Sequence, residues 1–149
     1  KYCIKERHTW LIMQHLVNEL KTLISHGVKQ HPLPVKVGNS IRIGPVVIRQ
    51  LKDKSFILFD SKEQIQIGSV YSKHSALALA KLYTEHKDID FVISLDKKLQ
   101  KHDLDARYYQ HSMDKTEDIT KKDILDTRLS VAHDELRIIT NKLEQIIFN

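Results

Sequence analysis

The chain has 149 residues, of which 41% are hydrophobic and 29% are charged, and its formal net charge is +5. This length fits one domain, or one small domain with helical extensions. No apolar run approaches the roughly 20 residues of a membrane-spanning helix, the first residues lack the apolar core of a secretory signal, and a single cysteine, Cys3, excludes an internal disulfide.

The charge is unevenly distributed along the chain. Residues 1–75 contain 12 lysines and arginines and 5 aspartates and glutamates, whereas residues 76–149 contain 12 and 14. A basic half can indicate an anionic partner, and it can equally provide solubility or attraction between the two halves. Because the sequence contains no polybasic run, nucleic acid stays an alternative partner and protein partners are favoured.

The first segment, residues 1–38, is predicted to contain one amphipathic helix and a linker. Over residues 9–26, apolar side chains recur at intervals of three and four, which places them on one side of a helix. This stripe consists of Trp10, Met13, Val17, Leu20 and Ile24. Gly27 is typical of a helix end, and Pro32 and Pro34 favour an extended linker over residues 29–38.

The second segment, residues 39–87, is predicted to be a β-β-β-α unit. Residues 46–50, 55–59 and 64–68 read as three strands, and the short turns between them indicate an antiparallel meander. The alanine-rich stretch 76–83 favours a helix that Ser72 caps and that covers one face of the sheet. The middle strand is apolar on both faces, so the opposite face also needs cover.

The third segment, residues 88–149, is predicted to be mostly helical. Residues 89–113 form one predicted helix and residues 114–119 a turn, and the terminal helix begins at Thr120. Its apolar residues follow a strict 4-3 spacing over three heptads, which places them in one seam along the helix. This seam, which we interpret as a helix-packing or oligomer interface, consists of Leu125, Leu129, Ala132, Leu136, Ile139, Leu143 and Ile146.

A second apolar row, formed by Ile124, Val131 and Ile138, runs beside the seam. A two-stranded coiled coil would leave this row in water, so the terminal helix is predicted to contact at least two neighbours in a helical bundle. The helix over residues 9–26 is an internal candidate for one neighbour. The sequence leaves open whether the other helices belong to this chain or to another.

The sequence contains no recognisable catalytic or metal-binding pattern. None of the nine histidines forms a pair four residues apart, and no second cysteine is present for a zinc site. The glycines are isolated, so there is no phosphate-binding loop, and no serine lies in a nucleophile motif. We therefore predict a protein that is not an enzyme, with no catalytic residues, no metal and no cofactor.

Nucleic-acid binding is the alternative hypothesis. A three-stranded sheet backed by one helix resembles the architecture of the integrase N-terminal and AP2-type DNA-binding domains, which place the open face of the sheet in the major groove. Here Arg42, Arg49, Lys52 and Lys54 would contact the phosphates, with arginine also suited to base edges. The apolar residues Ile57 and Phe59 on the open face argue against this mode of binding.

Several short motifs recur together in one group of proteins. They are the strand Gly44 to Ile48, a β-hairpin, the stretch Tyr71 to Ala80, the stretch Leu95 to Leu99, the element Tyr109 to His111 and an amphipathic C-terminal helix. Over roughly residues 41–149 the chain resembles uncharacterised small proteins of marine tailed phages, including T4-like phages of cyanobacteria. The resemblance implies a phage-encoded protein of the virion or of its assembly, located in the virion or the host cytoplasm.

The sequence therefore predicts a helix-rich α+β protein. Its expected parts are an N-terminal helix, a three-stranded antiparallel meander with a packed helix, and a C-terminal helical hairpin or bundle. The predicted function is that of a non-enzymatic structural or assembly protein that associates with itself, or within a larger assembly, through its amphipathic helices, with no membrane partner.

Overall fold

The chain folds as an α+β protein in which an antiparallel sheet is followed by three helices. The computed structural model describes residues 34–37 and 40–149. The predicted helix over residues 9–26, with its stripe of Trp10, Met13, Val17, Leu20 and Ile24, lies outside the described residues, as do Cys3 and the first four histidines.

The sheet is a meander whose strands lie in chain order. Four antiparallel strands from Ser40 onward form its main part, and Pro34–Val37 (β1) pairs with the first of them as an edge strand. The four strands are β2 Ser40–Ile43, β3 Val46–Gln50, β4 Phe56–Asp60 and β5 Ile65–Val70. A β-bulge interrupts the register of β4 and β5, because Leu58 pairs with Gly68 whereas Phe59 pairs with Gln66.

The prediction of three strands is wrong, because the sheet contains additional strands before them. Gly44 and Pro45, which precede the first predicted strand, form a two-residue turn between β2 and β3, with Ile43 paired to Val46. Gly44 adopts a φ of 57°, which glycine reaches without steric cost and which suits a tight hairpin. Part of the predicted linker over residues 29–38 is also a strand, because β1 pairs with β2.

The two faces of the sheet differ in burial. The inner face carries the buried side chains of Ile43, Val46, Ile48, Phe56 and Leu58, which contribute to the main hydrophobic core. The outer face carries the alternate residues of the same strands, and these are exposed or half-buried. This alternation follows from the two-residue period of a strand. The helices that the structure describes contact the sheet from its inner face.

The first helix among the described residues, α1 (Lys73–Thr84), is buried on every side. Seven consecutive residues from Ser75 to Lys81 are buried, although successive helical residues point in different directions. The helix therefore forms a middle layer, with the sheet on one side and the last two helices on the other. The predicted cap is confirmed, because the Ser72 side chain accepts a hydrogen bond from the backbone N–H of Ser75 at 3.0 Å.

The last two helices form a hairpin, α2 (Asp90–Lys115) and α3 (Ile119–Phe148). The two predicted helices are confirmed, with a turn at 116–118 between them. Asp118 caps α3, since its carboxylate accepts from the backbone N–H groups of Thr120 and Lys121 at 2.9 and 3.3 Å. A carboxylate is favourable here because it satisfies free N–H groups at the positive end of the helix dipole.

The terminal helix contributes directly to the core around the sheet. Leu143 and Ile147, which are 0% and 1% exposed, belong to the same hydrophobic cluster as Ile48 and Leu58 of the sheet and Leu79 of α1. The Nζ of Lys81 in α1 donates to the carbonyl oxygens of Ile146 and Ile147 at 2.8 and 3.2 Å. Apolar packing and a cationic hydrogen-bond donor thus fix the end of α3 against α1.

We expect Leu143→Ala to lower the free energy of unfolding by about 2–5 kcal/mol, because it removes buried methyl groups and leaves a cavity. Leu104→Ala is the matched control, since Leu104 is 52% exposed on α2, and its effect should stay within about 0.5 kcal/mol. Urea denaturation followed by circular dichroism measures both. Equal effects of the two substitutions would contradict the placement of Leu143 in the core.

Candidate interaction surfaces

The heptad seam of the terminal helix packs inside the chain. Leu129, Ala132, Ile139 and Leu143 are buried, and Leu125, Leu136 and Ile146 are half-buried. The first part of the seam packs against Ala106, Tyr109 and Met113 of α2, in a small core of the hairpin. The second part joins the main core around α1 and the sheet. The seam is therefore a helix-packing surface between neighbours of the same chain.

The second apolar row of α3 lies on the surface. Ile124, Val131 and Ile138 are 50%, 57% and 45% exposed, so the described part of the chain leaves them largely accessible to solvent. The expected contacts of α3 with two neighbours are present, since it packs on both α1 and α2. Those neighbours cover the seam and not the row, because the row projects from the side of α3 away from them. We call these three residues the helical row.

The outer face of the sheet is a second accessible surface. One line of paired residues crosses it from Arg42 through Val47 and Phe59 to Gln66, and the next line crosses from Ser40 through Arg49 and Ile57 to Ser69. The two arginines are exposed, whereas Val47, Ile57 and Phe59 are half-buried. We call these eight residues the outer sheet face.

The structure brings the four predicted nucleic-acid contacts to one side of the sheet or its border. Arg42 and Arg49 lie on the outer sheet face itself, on adjacent strands. Lys52 and Lys54 lie in the exposed β3–β4 turn, at the end of the sheet nearest Arg49. Lys54 has a φ of 75°, and its carbonyl oxygen accepts from the Gln50 side chain at 3.3 Å. These basic residues therefore border the apolar centre of the face.

Two buried carboxylates anchor loops around α1, and sequence reasoning did not single them out. Asp96 of α2 is 5% exposed, and it accepts from the backbone N–H groups of Tyr71 and Ser72 at 2.8 and 3.1 Å, which fixes the start of α1. Asp96 follows Val92 by four residues and precedes Leu99 by three, so it lies on the buried stripe of α2. That position was the available sequence signal for a buried carboxylate.

Asp60 at the end of β4 is 4% exposed, and its carboxylate also accepts several hydrogen bonds. It accepts from the Tyr83 hydroxyl at 2.5 Å and from the backbone N–H groups of Lys62 and Glu63 at 2.9 and 3.0 Å. These hydrogen bonds, led by that of Tyr83, lower the pKa of the Asp60 carboxyl. Because the ionised carboxylate is used to hold a turn and a helix, its arrangement is that of a structural group.

Tyr71 links the start of α1 to the middle of α2. Its hydroxyl donates to Asp103, which also forms an ion pair with Arg107 at 3.3 Å. Burial of the phenol, followed by its hydrogen bond to Asp103, raises the pKa of Tyr71 to about 12. The proton is thus held on Tyr71 across the physiological range, and the group acts as a donor that tethers two helices.

The described residues contain no cluster of three or more histidine, cysteine, aspartate or glutamate side chains that could hold a metal ion. His74 bonds to Glu144 across α1 and α3 at 3.2 Å, a contact between helices and not a ligand set. Among the helices that the structure describes, none has an apolar stretch long enough to cross a membrane.

Comparisons with protein-family models, with curated proteins and with solved structures yield no match for this chain.

Tyr71→Phe tests the tether between α1 and α2. Because the pKa of Tyr71 is raised in the folded state, its hydrogen bond contributes stability below about pH 10, the ordinary tyrosine pKa, and that contribution is lost as pH rises through about 12. The variant should have a lower free energy of unfolding at neutral pH. Between about pH 10 and pH 12, its free energy of unfolding should fall less than that of the parent protein. Tyr108→Phe, at a residue that is 65% exposed, is the control and should leave the profile unchanged. Identical alkaline profiles for the Tyr71→Phe variant and the parent protein would contradict the assignment.

Proposed function

We propose that this protein is a non-enzymatic structural or assembly component that associates with a second copy of itself through the helical row. The observation that carries the proposal is the exposure of Ile124, Val131 and Ile138, at 45% to 57%, on a helix whose other apolar seam is already buried. Aligned side chains seven residues apart form a nearly straight line of about 21 Å, at a helical rise of about 1.5 Å per residue. Such a line is favourable to bury and unfavourable to leave in water.

The spacing of the row suits an antiparallel pair. The sequence of the row, Ile–Val–Ile, is symmetric about Val131, so a two-fold axis there places Ile124 of one copy opposite Ile138 of the other and Val131 opposite itself. Such a contact is isologous, which means that the same surface is used twice and the assembly closes as a dimer. Closed two-fold dimers are the commonest soluble oligomers.

The charges beside the row are complementary in this arrangement. Arg128 and Glu135 both lie on one flank of the row, each three or four residues from its members. A two-fold axis through Val131 brings equivalent flanks together, with Arg128 of one copy near Glu135 of the other, so two attractive pairs form. Among the described residues, neither side chain forms an ion pair, so both are available for that contact.

The size of the row sets the expected strength of association. Three partly exposed aliphatic side chains supply only part of the roughly 800 Å² that each partner buries in a standard interface. We therefore expect a concentration-dependent dimer and not an obligate one. The resemblance to proteins of tailed phages supports a role in the virion or its assembly, where a high local concentration makes weak contacts effective.

A charge-reversal cycle tests the dimer. Arg128→Glu and Glu135→Arg should each weaken association by about tenfold or more, because each sets like charges opposite one another twice, and the double variant should restore it. Sedimentation equilibrium over a range of concentrations measures the dissociation constant. Arg137→Glu is the matched control, since it makes the same charge reversal on α3, about a third of a turn away from the row.

Two results would contradict this proposal. One is a monomer at every concentration in the parent protein. The other is a dissociation constant that does not change in the single charge-reversal variants, or that the double variant does not restore, together with an unchanged dissociation constant in the Val131→Asp variant. Circular dichroism should confirm that each variant stays helical, as expected for substitutions of residues that are exposed or half-buried.

A further inference from the structure

The outer sheet face combines an apolar centre with basic borders. Val47 pairs with Phe59 across β3 and β4, and Ile57 follows on the next line, so the three half-buried side chains are neighbours. Adjacent strands lie about 4.8 Å apart, which makes this centre continuous across two strands. The aromatic ring of Phe59 is its largest member.

Basic residues form a track across the same face. Lys52 in the β3–β4 turn and Arg49 on β3 lie toward one end of the sheet, and Arg42 on β2 and Lys62 in the β4–β5 turn lie toward the other. The Arg42 guanidinium donates to the Ser61 hydroxyl at 3.3 Å, which directs it toward the turn that holds Lys62. The track therefore runs from one turn to the opposite turn, past the apolar centre.

Acidic groups are excluded from the two lines of the outer sheet face. Its eight residues comprise two arginines, three apolar residues, two serines and one glutamine. Two exposed acidic residues, Asp53 and Glu63, lie in the turns at the ends of these strands, and the Asp53 carboxylate accepts from the backbone N–H and hydroxyl of Ser55 at 3.0 and 2.5 Å. Among the described residues, the two lines of the outer sheet face thus carry two positive charges and no negative charge.

We propose that the outer sheet face binds single-stranded nucleic acid without strong sequence preference. The basic track matches the phosphates of an extended strand, and the Phe59 ring offers a stacking surface for an unpaired base. A duplex keeps its bases stacked and presents mainly phosphates, so it would leave the apolar centre unused. The same apolar residues that argue against major-groove reading therefore favour a single strand.

Fluorescence anisotropy with labelled oligothymidylate of about 20 nucleotides, which exceeds the known site sizes of single-strand-binding folds, tests the proposal with the full chain. Binding should be detectable at about 50 mM salt and should weaken steeply by about 200 mM salt. The double variant Arg42→Ala/Arg49→Ala should bind about tenfold more weakly and with a shallower salt dependence. Phe59→Leu, which keeps the apolar packing, should lose about fivefold through lost stacking.

The matched control is Lys97→Ala/Lys98→Ala, which removes two exposed charges from α2, outside the sheet. It should bind like the parent protein. Duplex DNA of the same length should bind more weakly than the single strand. Absence of binding at low salt, equal losses in the two double variants, or equal affinity for duplex and single strand would each overturn the proposal, and a thermal melt of each variant confirms that the fold is retained.

Discussion

The burial of α1 on all sides is the constraint on which the rest of the structure depends. Its residues Ala76, Leu77, Ala78, Leu79 and Ala80 are at most 2% exposed. A sheet can cover only one side of such a helix, so the other sides require further helices. The hairpin of α2 and α3 supplies them, and its end returns to α1, where Leu143 and Ile147 complete the core.

The same constraint explains where the polar groups lie. A buried helix carries free N–H and carbonyl groups at its ends, and these must find partners away from water. Asp96 accepts from the N–H groups of Tyr71 and Ser72 just before α1, and Ser72 caps its first turn. Lys81 in α1 donates to carbonyl groups at the end of α3. These buried charged groups therefore connect the layers of the fold.

The sequence predicted those elements that have strong periodicity. The alanine-rich helix with its Ser72 cap and the two long C-terminal helices are confirmed, because long regular patterns and specific caps are local signals. The sequence does not predict the strand Ser40–Ile43, because a short apolar stretch before Gly44-Pro45 resembles a loop until its partner strand is known. The burial of the seam and the exposure of Ile124, Val131 and Ile138 were also beyond sequence reasoning, since two apolar rows on one helix do not reveal which one meets the core. The basic residues Arg42 and Arg49 were identified by type, but only strand pairing places them on one face beside Phe59.

Native-state hydrogen exchange tests the central claim, which is that the terminal helix and the sheet share one core around α1. Amides of β4, of α1 and of α3 near Leu143 should exchange with the same free energy of opening, because they unfold together. The claim would be contradicted if α1 and the sheet stayed protected while the amides of α3 near Leu143 exchanged with a much smaller free energy.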